Sequence, residues 1–113
     1  VNIETKIYRG ESISEGANLA LQHRLYVPGW DLCGSLKYAK GNKECTIALV
    51  FKDGKPVAVS LANRWLTQAF TRKSERRNGY GSLAVKEVRK VNKTSSHGHG
   101  KRGTNEFWTK IWN

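Results

Sequence analysis

The sequence predicts a mixed α/β fold of the α+β kind, and three observations predict it. Short runs rich in β-branched and aromatic residues stand at positions 2–8, 46–51, 57–62 and 65–71. Apolar residues recur at helical spacing in two other stretches, around 13–26 and 81–91. Asp53-Gly54 separates two of the strand runs, and a type I′ hairpin needs positive φ at both of its central residues. The resulting order is strand, helix, three strands, helix, then a loop and an aromatic tail. The 113 residues suit one domain, 1–113, with no internal repeat and no linker.

Each element has its local reason. Ile3, Thr5 and Ile7 alternate with polar residues, which is the period of a half-buried strand. Ser12-Ile-Ser-Glu15 has the spacing of a capping box, and Ile13, Ala17, Ala20, Leu21 and Leu25 then line one helical face until Pro28-Gly29. Residues 29–44 mix Gly, Lys and Asn with one Trp and read as mostly loop. The hairpin strands follow, with Pro56 expected at a strand start because it has no N–H to give a ladder. A third strand begins at Trp65, whose indole is expected in the core. The second helix carries Ala84, Val85, Val88 and Val91 inward, and Lys86, Glu87, Arg89 and Lys90 outward. Residues 94–103 hold no apolar side chain and three glycines, and read as loop. Phe107, Trp108, Ile111 and Trp112 then share helical spacing on a short last helix or a closing strand.

Composition limits the function. Lys and Arg number 20 against 9 Asp and Glu, a formal net charge of +11. The excess is lopsided: +2 over residues 1–63 and +9 over 64–113. Such a field attracts a polyanion: nucleic acid, a membrane surface or a phosphate-rich cofactor; it is also what a merely solubilising surface carries. No apolar run approaches a membrane span, and the N-terminus lacks the apolar region of a signal peptide. Cys33 and Cys45 make no disulfide framework; two reduced thiols point to a cytoplasmic location. His97 and His99 with these cysteines match no zinc spacing, so no metal site is expected.

The stretch with most chemical content is Arg76-Arg77-Asn78-Gly79-Tyr80-Gly81-Ser82. It leaves a strand and opens a helix. Glycines at 79 and 81 permit positive φ and close approach of a ligand, while N–H groups at a helix start have no intrahelical partner and favour an anion. Arg76 and Arg77 add charged donors. A diphosphate is the natural guest. Alone, a Gly-x-Gly turn is equally a plain strand-to-helix connection. No Gly-Lys-Ser/Thr follows, so it is not a Walker loop, and the third glycine of the dinucleotide fingerprint is missing.

The segment from Thr67 to Val85 resembles motif A of the GNAT family of acyl-CoA-dependent N-acetyltransferases, with Arg76, Gly79 and Gly81 on its Arg/Gln-x-x-Gly-x-Gly/Ala pattern. The Asp53-Gly54 hairpin looks like the family's second and third strands, and Asn105-Glu-Phe-Trp-Thr-Lys110 resembles its late Asn-x-x-Phe-Tyr-x-Lys helix. The resemblance implies a mixed, mostly antiparallel twisted sheet with flanking helices. It implies acetyl-CoA as cofactor, held by Phe70, Thr71 and Arg72 at the strand end and by Arg76, Arg77, Asn78, Gly79, Tyr80, Gly81 and Ser82 in the loop. It implies transfer of an acetyl group to an amine, here one on a charged macromolecule.

The family's usual strand-four glutamate has no counterpart, since that strand offers Thr67 and Gln68, and Trp108 replaces its acidic tyrosine. Catalytic residues therefore remain unassigned. Lys73, Lys86, Arg89, Lys90, Lys93, Lys101 and Arg102 exceed what one coenzyme needs. They keep open a nucleic-acid partner and the alternative of a non-catalytic or base-modifying nucleic-acid-binding protein on the same scaffold.

Overall fold

In a computed structural model of the chain, the residues described are 1–29, 31–93, 96, 97 and 108. Among them, five strands form one sheet in chain order: β1 (Ile3–Arg9), β2 (Thr46–Lys52), β3 (Lys55–Ala62), β4 (Leu66–Thr71) and β5 (Ser96–His97). The pairs β1–β2, β2–β3 and β3–β4 are antiparallel, while β4–β5 is parallel. Helices α1 (Ile13–Gln22) and α2 (Asp31–Ala39) cover one face, and α3 (Tyr80–Val91) covers the other. This is the mixed, mostly antiparallel architecture expected.

The sheet's middle explains its composition. Strands β2 and β3 are buried on both faces, so they read as apolar runs rather than alternations. Odd-numbered Ile47, Leu49, Val59 and Leu61 meet α1 and α2, and Ala48, Val50, Ala58 and Ala62 meet α3. Small residues on the α3 side let that helix lie close. Asp53 (φ 51°) and Gly54 (φ 82°) both take positive φ, as the hairpin requires. Pro56 is the second residue of β3, opposite Phe51 at a register shift, where a missing N–H costs least.

Helix α1 approaches β1 closely enough that a Cβ on Gly16 would lie 2.6 Å from the Tyr8 ring. Burial, then the nearby Glu15 charge, pushes the Tyr8 phenol above its ordinary pKa.

Six expectations are corrected. First, the capping box does not form. Ser12 Oγ instead accepts from Arg9 N and donates to Arg9 O, closing a short 3-10 turn before α1. Second, α1 ends at Gln22, four residues early. Arg24 takes left-handed φ (52°), and Leu25 N and Arg24 N reach back to Ala20 O and Leu21 O. This is a Schellman ending, and Leu25 enters the core as its apolar clasp. Third, residues 31–39 are helix, not loop. Leu32, Leu36 and Ala39 are buried at helical spacing, a stripe that Gly34 and Lys37 dilute in the sequence.

Fourth, the loop read at 94–103 contains β5, two residues that register Ser96 with Leu66 and His97 with Thr67. Fifth, Trp65 is 67% exposed, because the chain turns at residues 63–65 and β4 starts at Leu66. Sixth, Val91 departs from the expected apolar face, at 40% exposed in the last position of α3. The other residues of the tail lie outside the described ones; Trp108 itself is helical and buried.

Candidate anion loop and strand edge

The loop after β4 is built from short-range constraints. Arg72 N donates to Val57 O (2.8 Å), which holds the strand's end to β3. A 3-10 turn follows at Lys73–Glu75, and Asn78 Nδ2 donates to Glu75 O across it (3.1 Å). Glu75 also receives Lys52 Nζ at 2.8 Å, which anchors the loop to the end of β2. The hydrogen bond and charge of Glu75 raise the Lys52 pKa above its ordinary value. Arg77 (φ 71°) and Gly79 (φ 79°) both stand in the left-handed region, and this sharp reversal aims the start of α3 back at the strand. For Arg77 that conformation costs about 1–2 kcal/mol, which the glycine at 79 avoids.

Among the described residues no side chain caps α3. The first intrahelical bond at this end is Leu83 N to Gly79 O (3.0 Å), so the N–H groups of Tyr80, Gly81 and Ser82 precede the helical ladder. Gly81 is buried against the sheet and Tyr80 packs beside the α3 core, so the helix start is fixed in place. These donors, with exposed Arg76 and Arg77 next to them, form a set whose chemistry fits a diphosphate.

The second part of the site is the margin of β4. Strand β5 pairs only with Leu66 and Thr67. Among the described residues, Gln68 to Thr71 therefore have a strand neighbour on the β3 side alone. An extended ligand with amide groups can hydrogen-bond to such a margin as an added strand does.

The expected residues are brought together with distinct roles. Phe70 and Thr71 end β4, where Arg76 lies over the Phe70 ring (5.6 Å to the centroid) and its Nε donates to Thr71 O (3.1 Å). Arg72 turns inward, its Nη2 donating to His23 O at the end of α1 (3.0 Å). That leaves its buried Nε without a partner among the described residues. Arg72 is thus first a tie between strand and helix. Gln68, 8% exposed, also keeps Oε1 without a hydrogen-bond partner there. The absence of any carboxylate on β4 had drawn attention to this position, but only the fold shows it buried on the α1–α2 face, opposite Leu61. The Lys52–Glu75 tie carried no sequence signal, since 23 residues separate the partners.

The basic residues divide. Lys86 and Lys90 lie exposed on the outer side of α3, with Arg89 half-buried beside them; Lys90 pairs with Glu87 (3.0 Å). Lys73 and Lys93 are exposed at opposite ends of that helix. Lys101 and Arg102 lie outside the described residues. Cys33 and Cys45 are both free thiols, and burial, then Glu44, raises the Cys45 pKa. No metal-binding group occurs among the described residues.

A fourth strand with an open margin, feeding a left-handed turn and the start of a helix, places the chain in a class of mixed α/β folds that solved structures identify. A ribosomal-protein-alanine N-acetyltransferase from Brucella melitensis biovar Abortus 2308 superposes at TM-score 0.60 and 9% identity, over 97% of this chain and 90% of that one. A predicted acetyltransferase with acetyl-CoA from Clostridium acetobutylicum gives 0.61 at 11% identity, over 99% and 90%. A GNAT-family acetyltransferase of Streptococcus pneumoniae TIGR4 gives 0.63 at 15% identity, over 97% and 86%. No family model matches the sequence, and no curated protein matches it. The chain has the GNAT fold, as motif A implied.

Proposed function

We propose that this protein is an acyl-CoA-dependent N-acyltransferase, taking acetyl-CoA as donor and an amine carried on a charged macromolecule as acceptor. The observation that carries the reading is the continuity of the β4 margin with the N–H groups of Tyr80, Gly81 and Ser82. The margin suits the amide-bearing arm of a coenzyme, and the helix start suits its diphosphate. Solved neighbours include an acetyltransferase with acetyl-CoA and an aminoglycoside N-acetyltransferase in complex with CoA, which supports the donor.

Bound there, the donor would supply a thioester acyl group for attack by the amine. In this reading Arg76 and Arg77 neutralise phosphate charge, Gly79 keeps the entrance clear, and Phe70 and Thr71 flank the arm. Gln68, where a carboxylate could serve as a base, is a neutral amide and is buried, so it deprotonates nothing. Trp108, whose indole N–H is a poor acid, is buried. Rate enhancement then rests mainly on holding two reactants together. Residues 1–113 act as one domain, supported by the sheet that β1–β5 share. The free thiols support a cytoplasmic setting, and no described helix is long and apolar enough to cross a membrane.

Calorimetry with acetyl-CoA tests the site. Wild type is expected to bind, and Gly79→Glu to abolish binding by placing a carboxylate at the helix start. Arg77→Glu, at an exposed position, is expected to weaken binding about tenfold with the fold intact by circular dichroism. No binding by wild type overturns the reading.

The basic outer side of α3, Lys86, Arg89 and Lys90 with Lys73 and Lys93, favours a second reading: a non-catalytic or base-modifying nucleic-acid-binding protein on the same fold. Salt-dependent nucleic-acid binding without acetyl-CoA binding would select it.

A further inference from the structure

Trp65 has an unusual setting. It is the most exposed aromatic side chain but one among those described, behind Tyr38 at 69%. The turn that carries it is firmly held: Asn63 Oδ1 accepts from both Trp65 N (2.9 Å) and Leu66 N (2.8 Å), and Asn63 N donates to Leu66 O (3.0 Å). The Arg64 guanidinium lies over the indole, 5.7 Å from the ring centroid. A large ring is thus presented to solvent on a preorganised turn with a cation against it.

Topology brings more positive charge to the same end of the sheet. Helix α3 finishes there, since Asn92 Nδ2 donates to Glu44 O (3.3 Å) at the approach to β2, and Thr46 registers with Ala62 at the end of β3. Lys93 is three residues before Ser96, which registers with Leu66, the neighbour of Trp65. Three residues of chain span at most about 10 Å, so Lys93 is held near the turn. Among the described residues Glu44 and Glu87 bring negative charge towards this region, and Glu87 is engaged by Lys90.

We propose that Arg64 and Trp65 form a binding site for single-stranded nucleic acid, in which an unpaired base stacks on the Trp65 indole while Arg64 and Lys93 meet the flanking phosphates. Base–aromatic stacking needs an accessible ring face and tolerates any sequence, and phosphate contacts supply the attraction that the net charge of +11 favours. A membrane surface fits less well. One indole preceded by Asn63 and Arg64 makes no continuous apolar face, and among the described residues the other large apolar side chain exposed on this side is Val91. The site is the length of β4 away from the anion loop, roughly 20 Å for six residues. It deepens the proposed function by naming the polyanion that carries the acceptor, but it is tested without the coenzyme.

The test is fluorescence anisotropy with an oligothymidylate of about twenty nucleotides, longer than a site of roughly 4–16. Wild type is expected to bind it in preference to a duplex of equal length. Trp65→Ala is expected to weaken binding about tenfold and Trp65→Phe much less. Lys93→Glu should lower the slope of affinity against salt by about one charge. The circular dichroism spectrum and melting temperature of the free protein serve as the folding control and should be unchanged in Trp65→Ala. Equal binding by wild type and Trp65→Ala, or no binding by wild type, overturns the proposal and leaves the coenzyme reading standing. Capture by phosphatidylserine vesicles that depends on Trp65, without oligonucleotide binding, also overturns it.

Discussion

The two ends of β4 are both basic and use charge in opposite ways. On the functions proposed, anion recognition at the C-terminal end would fall to backbone, the N–H groups that open α3, with arginines assisting from the loop. At the N-terminal end it would fall to side chains, an indole and a guanidinium displayed on an asparagine-locked turn. Backbone donors fix position and select a compact group such as a diphosphate. Displayed side chains tolerate varied ligands. Net charge alone does not separate these two tasks, and the placement of one strand does.

The comparison is broken most severely by Gly16→Ala, which touches neither end. Its Cβ would meet the near end of the Tyr8 side chain, which cannot swing away, so α1 must lift off β1. A loss of about 2 kcal/mol is expected, a drop of roughly 10 °C in melting temperature, with both binding functions failing together on heating.

Asn63→Ala sharpens the contrast. It removes the acceptor for two N–H groups of the turn and should cost about 1–2 kcal/mol. Oligonucleotide binding should fall about threefold while acetyl-CoA binding by calorimetry is unchanged.

Glu75→Gln gives the smallest and opposite change. It releases Lys52, loosens the anion loop, and should weaken acetyl-CoA about two- to threefold with no effect on the oligonucleotide. Because Glu75 raises the Lys52 pKa in the folded protein, the tie is complete below the ordinary lysine value of 10.5 and is lost as pH rises through the higher folded value. Wild type and Glu75→Gln should therefore differ by the same factor from pH 7 to 9, and converge only in stronger alkali.

How much of this was legible in the sequence depended on whether the signal was local. The hairpin at Asp53-Gly54 was readable because backbone strain confines the residues allowed there. Helix α3 was readable because Ala84, Val85 and Val88 repeat without interruption, and the anion loop because its glycines stand between a strand and that helix. Helix α2 escaped because only Leu32, Leu36 and Ala39 mark its buried side, and Gly34 argues against it locally. Trp65 was misplaced because hydrophobicity says what a ring prefers, whereas the Asn63 turn decides where it goes. The same confusion lengthened α1, since Leu25 is apolar in step with the helix yet reaches the core from beyond its end. Gln68 and the Lys52–Glu75 tie depend on segments that the fold brings together from distant parts of the chain, which local spacing does not encode.

The two-residue reach of β5 has a consequence for handling the protein. A strand margin that accepts a ligand arm will also accept a strand from another molecule, and Gln68 to Thr71 have a strand neighbour on one side alone among the described residues. Arg72, Lys73, Arg76 and Arg77 crowd one end of that margin with like charge, which repels a second copy in the same place. Coenzyme would then act as a guardian against aggregation, filling the vacancy that a neighbouring chain would otherwise take, and concentrated stocks should be kept with it.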